Sequence, residues 1–281
     1  MSLVTLTQVL SESESGGYAV GSFGATEYHV ADCIVQTAEE LGLPVILMIA
    51  GRSIPEAYGD RLLRFLRRIS EDASVPVCLH LDHGRTFEVV ERAMDAGFSS
   101  VMYDGSALPL EENIANTAAI TCRAHARGIS VEAELGYIPA ADGVADRARF
   151  TKPADAVRFR AETDIDALAV AFGTVHGLYR EAPDLDFELV ETIHRLLDIP
   201  LVMHGGTGTS DADMRRLIGC GIRKINIFTE LAVGAADAAV ARRAVPGVPG
   251  QFGGMTDAAR EVVCAALRRD MDLFGTRPLA R

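Results

Sequence analysis

The chain has 281 residues, 48% hydrophobic and 23% charged, which suffices for one large core and is a common length for a single α/β barrel. A formal net charge of −12 argues against nucleic acid and anionic membrane as partners, since both require a basic surface, but leaves room for a small phosphorylated substrate held by backbone N–H groups. There is no apolar run long enough for a transmembrane helix, Met1–Glu14 lacks the basic and apolar regions of a secretory signal, and the five cysteines are widely spaced without a C-x-x-C pair, which together predict a reduced, cytoplasmic protein.

Short β-rich runs alternate with amphipathic stretches along the chain. Strands are predicted over Tyr18–Phe23, Pro44–Ile49, Pro76–Leu81, Ser99–Tyr103, Ser130–Leu135, Ala167–Phe172, Pro200–Met203 and Gly221–Ile225. Between them helices are predicted, for example over Glu27–Leu41, Glu56–Ser70, Leu110–Arg127, Phe187–Leu197 and Asp211–Gly219. Gly42 and Gly128 stand where helices should stop, and Ser210-Asp211 reads as an N-cap. Two more helical stretches, Glu230–Arg243 and Thr256–Phe274, follow the eighth strand across the Gly/Pro-rich linker Val245–Gly254. Several strands are near-continuous apolar runs, as in a parallel sheet buried on both faces. The fold class predicted is α/β, a (β/α)8 TIM barrel with extra C-terminal helices, in one domain over 1–281.

In such a barrel chemistry belongs at the C-terminal ends of the strands. Unusual polar residues cluster there: His80, Asp82 and His83 on the third, Asp104 on the fourth, Glu132 and Glu134 on the fifth, His176 after the sixth, His204 after the seventh, Asn226 and Thr229 at the eighth. His83, His176 and His204 are each followed by glycine, and three imidazoles with an open position form a familiar catalytic zinc arrangement. His29, His125 and His194 fall in helical stretches and read as surface or packing residues, while His80 shares the Asp82 side of its strand and reads as a partner to the ligands. Asp82 and His83 can enter one site only if the chain turns at His83-Gly84; there Asp82 reads as a general acid/base, against the alternative of a helix cap. Glu134, nearer the mouth, is the better metal candidate of the strand-five pair, and Glu132 reads as a structural acid paired with a deeper group such as Lys224. Gly205-Gly206-Thr207-Gly208 and Asn226–Thr229 follow strands seven and eight, where barrels tend to bind phosphate.

Six stretches in order, HLDHG (80–84), VMYDGS (101–106), VEAELG (131–136), DALAVAFGTVHGLY (166–179), LVMHGGTG (201–208) and KINIFTEL (224–231), give the chain its resemblance to the class II, metal-dependent fructose-bisphosphate and tagatose-bisphosphate aldolase family. The resemblance runs from about Tyr18 to Gly275. It implies a lyase of carbohydrate metabolism that cleaves a ketose bisphosphate to dihydroxyacetone phosphate and an aldehyde through a metal-stabilised enediolate. It implies a catalytic zinc on His83, His176 and His204, with Glu134 as an alternate or second contact. Asp82 would be the acid/base at the C4 hydroxyl. Gly177, Gly205, Gly206, Thr207, Asn226 and Thr229 would hold the dihydroxyacetone phosphate portion, with a monovalent cation nearby. A mobile acid from the loop after strand five would protonate C3; here Asp142 is the candidate. A homo-dimer or homo-tetramer is implied as well, in which a partner subunit's arginine often reaches the distal phosphate; Arg260 is the candidate in this chain.

The chain departs from the family pattern in places. Pro139-Ala140 stand where the loop usually has Gly-Gly, Phe23-Gly24 where Phe-Asn is usual, Ala50 where many members have serine, with Arg52 close by, and Thr207 replaces a serine. The reaction type is therefore expected to hold while the sugar differs from the glycolytic one. Two alternatives stand beside this reading: a Schiff-base aldolase using Lys224, one of only two lysines, and a catalytically weakened barrel that binds a sugar phosphate.

Overall fold

The computed structural model describes residues 2–54, 59–140, 143, 145–179, 181–245 and 251–280. Two short helices, α1 (Leu6–Val9) and α2 (Ser13–Gly16), precede eight strands: β1 (Val20–Gly24), β2 (Val45–Ala50), β3 (Val77–Gly84), β4 (Ser100–Tyr103), β5 (Ser130–Leu135), β6 (Ala167–Val170), β7 (Leu201–Met203) and β8 (Ile222–Ile227). All pair in parallel, each with its sequence neighbours, and β1 closes on β8, giving the (β/α)8 barrel. The outer helices are α3 (Tyr28–Leu41), α4 (Gly59–Asp72), α5 (Phe87–Asp95), α6 (Leu110–His125), α7 (Pro153–Thr163), α8 (Phe187–Leu196) and α9 (Asp211–Gly219), followed by α10 (Thr229–Arg243) and α11 (Phe252–Leu273).

Local chemistry explains the boundaries. Gly42 takes the left-handed conformation that ends α3, and Ser210 Oγ accepts the Asp213 N–H at the start of α9. Phe252–Gly254, expected in a linker, are the first turn of α11. The last helix packs on the barrel of its own chain: Val263, Leu267 and Met271, spaced by fours, are buried with Phe274, and Arg260 and Arg268 pair with Asp32 and Glu40 of α3.

The barrel interior is filled by alternate strand residues. Val20, Ile46, Cys78, Ala167, Ala169 and Val202 form one apolar layer, and Leu6, Val9 and Leu10 from the N-terminal segment close it from below. α1 is held for that task by a capping box, with Thr5 Oγ1 accepting the Gln8 N–H and Gln8 Oε1 accepting the Thr5 N–H. Above this apolar floor the inward positions turn polar: Glu132, Lys224, His80, His204 and Asn226 are all buried.

Candidate active site

A cavity of about 660 Å³ opens at the C-terminal rim. Asp82, His83, His176 and His204 line it, together with all six residues expected to bind phosphate, Gly177, Gly205, Gly206, Thr207, Asn226 and Thr229. Gly205 could be nothing larger: its φ is +69°, and a Cβ there would meet the Val175 carbonyl oxygen at 2.1 Å. Gly24, Ala50, Ala140 and Thr207, positions where the sequence departs from the family pattern, also lie on the wall, as does Arg52 beside Ala50.

Asp82 and His83 reach the same cavity because the strand does not stay regular. His83 has φ +50°, a left-handed conformation rare outside glycine, and the β3–β4 register shifts between Leu81 and Gly84. The expected turn therefore falls on the histidine itself.

The three imidazoles converge. His83 Nε2 lies 3.1 Å from His176 Nε2 and 3.0 Å from His204 Nδ1. Ligand nitrogens at about 2.0–2.1 Å from a tetrahedral ion stand about 3.3 Å apart, so the spacing suits a shared ion with little adjustment. The opposite nitrogen of each ring is engaged. His83 Nδ1 is 2.9 Å from Asp104 Oδ2, His204 Nε2 is 2.9 Å from Glu132 Oε1, and His176 Nδ1 is 3.3 Å from the Pro139 carbonyl. Such outer acceptors fix the tautomer of a ligating imidazole and aim its lone pair at the ion. Burial first, then the nearby His83, push His176 and His204 below the usual histidine range, keeping them in the neutral form that ligation needs. Burial opposes charge on His83 too, but the carboxylates of Asp82, Asp104 and Glu134 outweigh it and push this imidazole up to about 9.

Glu134 does not line the cavity. Its Oε2 lies 3.8 Å from His83 Nδ1, on the far side of that ring from the three-histidine cluster, and groups with Asp104 instead. Burial, then the Asp104 charge, push its carboxyl up to about 8, and Oε2 has no hydrogen-bond partner among the described residues. Asp142 lies outside the described residues. Arg260 is engaged within its own chain by Asp32 and Gln36.

Glu132 pairs with Lys224 as expected, with Nζ 2.8 Å from Oε2, both fully buried. Lys224 does not line the cavity, which removes the geometric basis for a Schiff base there. His80, also fully buried, donates or accepts at Ser100 Oγ through Nδ1 and sits 3.6 Å from Glu132 through Nε2. The Pro139 carbonyl was not foreseen, because a backbone acceptor has no residue-type signature. Asp104 stood out only as a polar residue at a strand end.

A family model for fructose-bisphosphate aldolase class II matches residues 4–277. The chain belongs to the class II fructose-bisphosphate aldolase family. This aldolase, a lyase, is 37% identical over 279 residues to a probable fructose-bisphosphate aldolase of Bacillus subtilis, covering 95% of this chain and 97% of that one. It is 40% identical over 234 residues to a 6-phospho-5-dehydro-2-deoxy-D-gluconate aldolase of Halalkalibacterium halodurans, covering 82% of this chain and 81% of the relative. Among solved structures the YdjI aldolase of Escherichia coli K12 superposes with a TM-score of 0.87 at 33% identity, covering 98% of each chain.

Proposed function

We propose that this class II aldolase is zinc-dependent, with His83, His176 and His204 as ligands, and that it reversibly cleaves a phosphorylated ketose bearing a second anionic group to dihydroxyacetone phosphate and an aldehyde. The observation that carries the reading is the meeting of three imidazole nitrogens, those of His176 and His204 each within 3.1 Å of His83 Nε2, while the far side of each ring faces an acceptor. When bound, the ion supplies Lewis-acid stabilisation of negative charge on the ketose carbonyl oxygen. Asp82, which accepts the Asn226 amide N–H through Oδ1 at 3.0 Å, takes the C4 hydroxyl proton as the C3–C4 bond breaks and the C4 carbonyl forms. The proton returned to C3 is assigned to the loop after β5, where Asp142 is the acid. His83 Nδ1, Asp104 and Glu134 offer a second resting position for the ion.

The phosphate end is assigned to Gly177 after β6, to the glycine-rich turn after β7 with Gly205, Gly206 and Thr207, and to Asn226 and Thr229 at the end of β8 and the start of α10, all of which face the cavity. Across the mouth, Arg52 after β2 and Arg85 after β3 bring positive charge to the wall. Arg85 is 3.2 Å from Asp104, whereas Arg52 has no carboxylate partner among the described residues. Two anionic ends match the substrate names of both kinds of relative, a bisphosphate and a phosphorylated gluconate. A cytoplasmic homo-oligomer belongs to the same reading, supported by the exposed Val240 and Phe252 on the α10–α11 hairpin.

A screen of fructose 1,6-bisphosphate, tagatose 1,6-bisphosphate and 6-phospho-5-dehydro-2-deoxygluconate for release of the three-carbon product, with and without chelator, tests the proposal. Chelator-sensitive release from at least one of them is expected. Release untouched by chelator, or trapped by borohydride on a lysine, would contradict it.

A further inference from the structure

We propose that Lys224 is a positioning residue that sets the donor–acceptor polarity of two hydrogen-bond branches, one ending on the ligand His204 and the other on the acid/base Asp82. The inference rests on the zinc reading above and concerns a residue that touches neither the cavity nor the reacting atoms.

An ammonium can only donate, and it is fully buried here. It has two partners: it forms an ion pair with Glu132, with Nζ 2.8 Å from Oε2, and it donates a hydrogen bond to Asn226 Oδ1 at 2.8 Å. In the first branch the ammonium faces the Glu132 carboxylate, and a carboxylate is an acceptor only. The 2.9 Å contact from Glu132 Oε1 to His204 Nε2 therefore requires the proton on Nε2, which leaves the Nδ1 lone pair facing His83 Nε2 and the shared ion position. In the second branch the ammonium claims the carbonyl oxygen of the Asn226 amide. The NH2 group must then face outward, where Nδ2 donates to Asp82 Oδ1 at 3.0 Å. The flipped amide would set NH2 against the ammonium and a carbonyl oxygen against the Asp82 carboxylate; these two contacts with charged groups outweigh the one the flip would improve, with His204 Nε2, which lies 3.2 Å from the Asn226 amide nitrogen.

The sequence places these partners by strand alternation. Lys224 and Asn226 are two apart on β8 and share its inward face, and the barrel brings Glu132 of β5 across to them. One cation thus orients both a ligand and an acid/base from beneath. A merely structural ion pair predicts something different. Removing both charges together should restore such a pair's contribution, because no unpaired charge is left behind.

The test uses the full chain in three forms: wild type, Lys224→Met, and the doubly neutralised Lys224→Met/Glu132→Gln. Zinc affinity is read by competition with a chelating dye, kcat and KM at saturating zinc, and stability by thermal melting. In the double variant melting is expected to return toward wild type. Zinc binding stays weakened by roughly ten- to a hundredfold, and kcat stays at least about tenfold down with KM little changed, because the Asn226 amide is no longer oriented. A double variant that binds zinc and turns over like wild type overturns the proposal. If neither variant folds, imidazole nitrogen NMR of the zinc-free wild type decides: His204 must carry its proton on Nε2, and a proton on Nδ1 overturns the proposal. Failure of the wild type itself to bind zinc would instead overturn the zinc reading.

Discussion

Asp82 and His83 are neighbours in sequence and yet share one cavity, because His83 sits at φ +50° and turns the end of β3 inward. Asp82 Oδ1 comes to 3.9 Å from His83 Nε2 and 4.0 Å from His204 Nδ1, close to the imidazole cluster but outside bonding distance of it. The acid/base and the ligand set are therefore separable by mutation. Replacing Asp82 with alanine is expected to lower kcat by about 10²–10⁴-fold, the usual contribution of a positioned acid/base, while zinc stoichiometry stays at wild-type level. Turnover measured beside metal content checks both halves; an active Asp82→Ala enzyme would remove Asp82 from the mechanism.

Arg52 is exposed, projects into the cavity wall near the Phe228 ring, and contributes nothing to the core. A charge-assisted hydrogen bond from it to the distal anion of the substrate is worth about 1.5–3 kcal/mol. Arg52→Ala should therefore reduce kcat/KM for a doubly anionic ketose by roughly 10–100-fold, mostly through KM, and leave melting unchanged. A parallel assay with a ketose 1-phosphate that is neutral at its other end should show little difference between the two enzymes. Equal losses on both substrates would place Arg52 outside the recognition of that end.

Asp270 in α11, which does not line the cavity, supplies a pH-dependent contribution to stability. Burial pushes its carboxyl up to about 6, against the pull of Arg269, and Oδ2 has no hydrogen-bond partner among the described residues. Because the folded value lies above the unfolded one, the folded state holds the extra proton between about pH 4 and pH 6. Stability from this group is thus lost as pH rises through that window, with the full penalty present above about pH 6. A shift of this size corresponds to at most about 3 kcal/mol. Asp270→Asn is expected to gain stability over wild type by up to that amount on going from pH 4 to pH 8. Parallel melting curves for the two proteins across the range would refute it.

Much of this was readable in the amino-acid order, and the gaps have physical causes. The barrel strands were visible as apolar runs because both faces are buried, and their ends shifted by up to three residues where pairing, not composition, sets the limit: β1 begins at Val20 rather than Tyr18, and β3 continues past Leu81 to Gly84. The histidines at 83, 176 and 204 could be grouped since strand ends meet at one rim. The floor of the barrel could not, because Leu6, Val9 and Leu10 look like an ordinary N-terminal segment until the closed sheet offers them a hole to fill. Glu132 was readable as the partner of Lys224 but not as the acceptor for His204, since alternation gives the face of a strand and not the reach of a side chain. The Pro139 carbonyl behind His176 depends on the path of a loop that no periodicity encodes.

The most direct test of the central claim is X-ray absorption at the zinc edge on protein loaded with one equivalent of the metal, compared with a His176→Ala variant. Three imidazoles with nitrogen at about 2.0–2.1 Å are expected in the wild type, and one fewer in the variant. A zinc environment without imidazole, or one that the substitution leaves untouched, would contradict it.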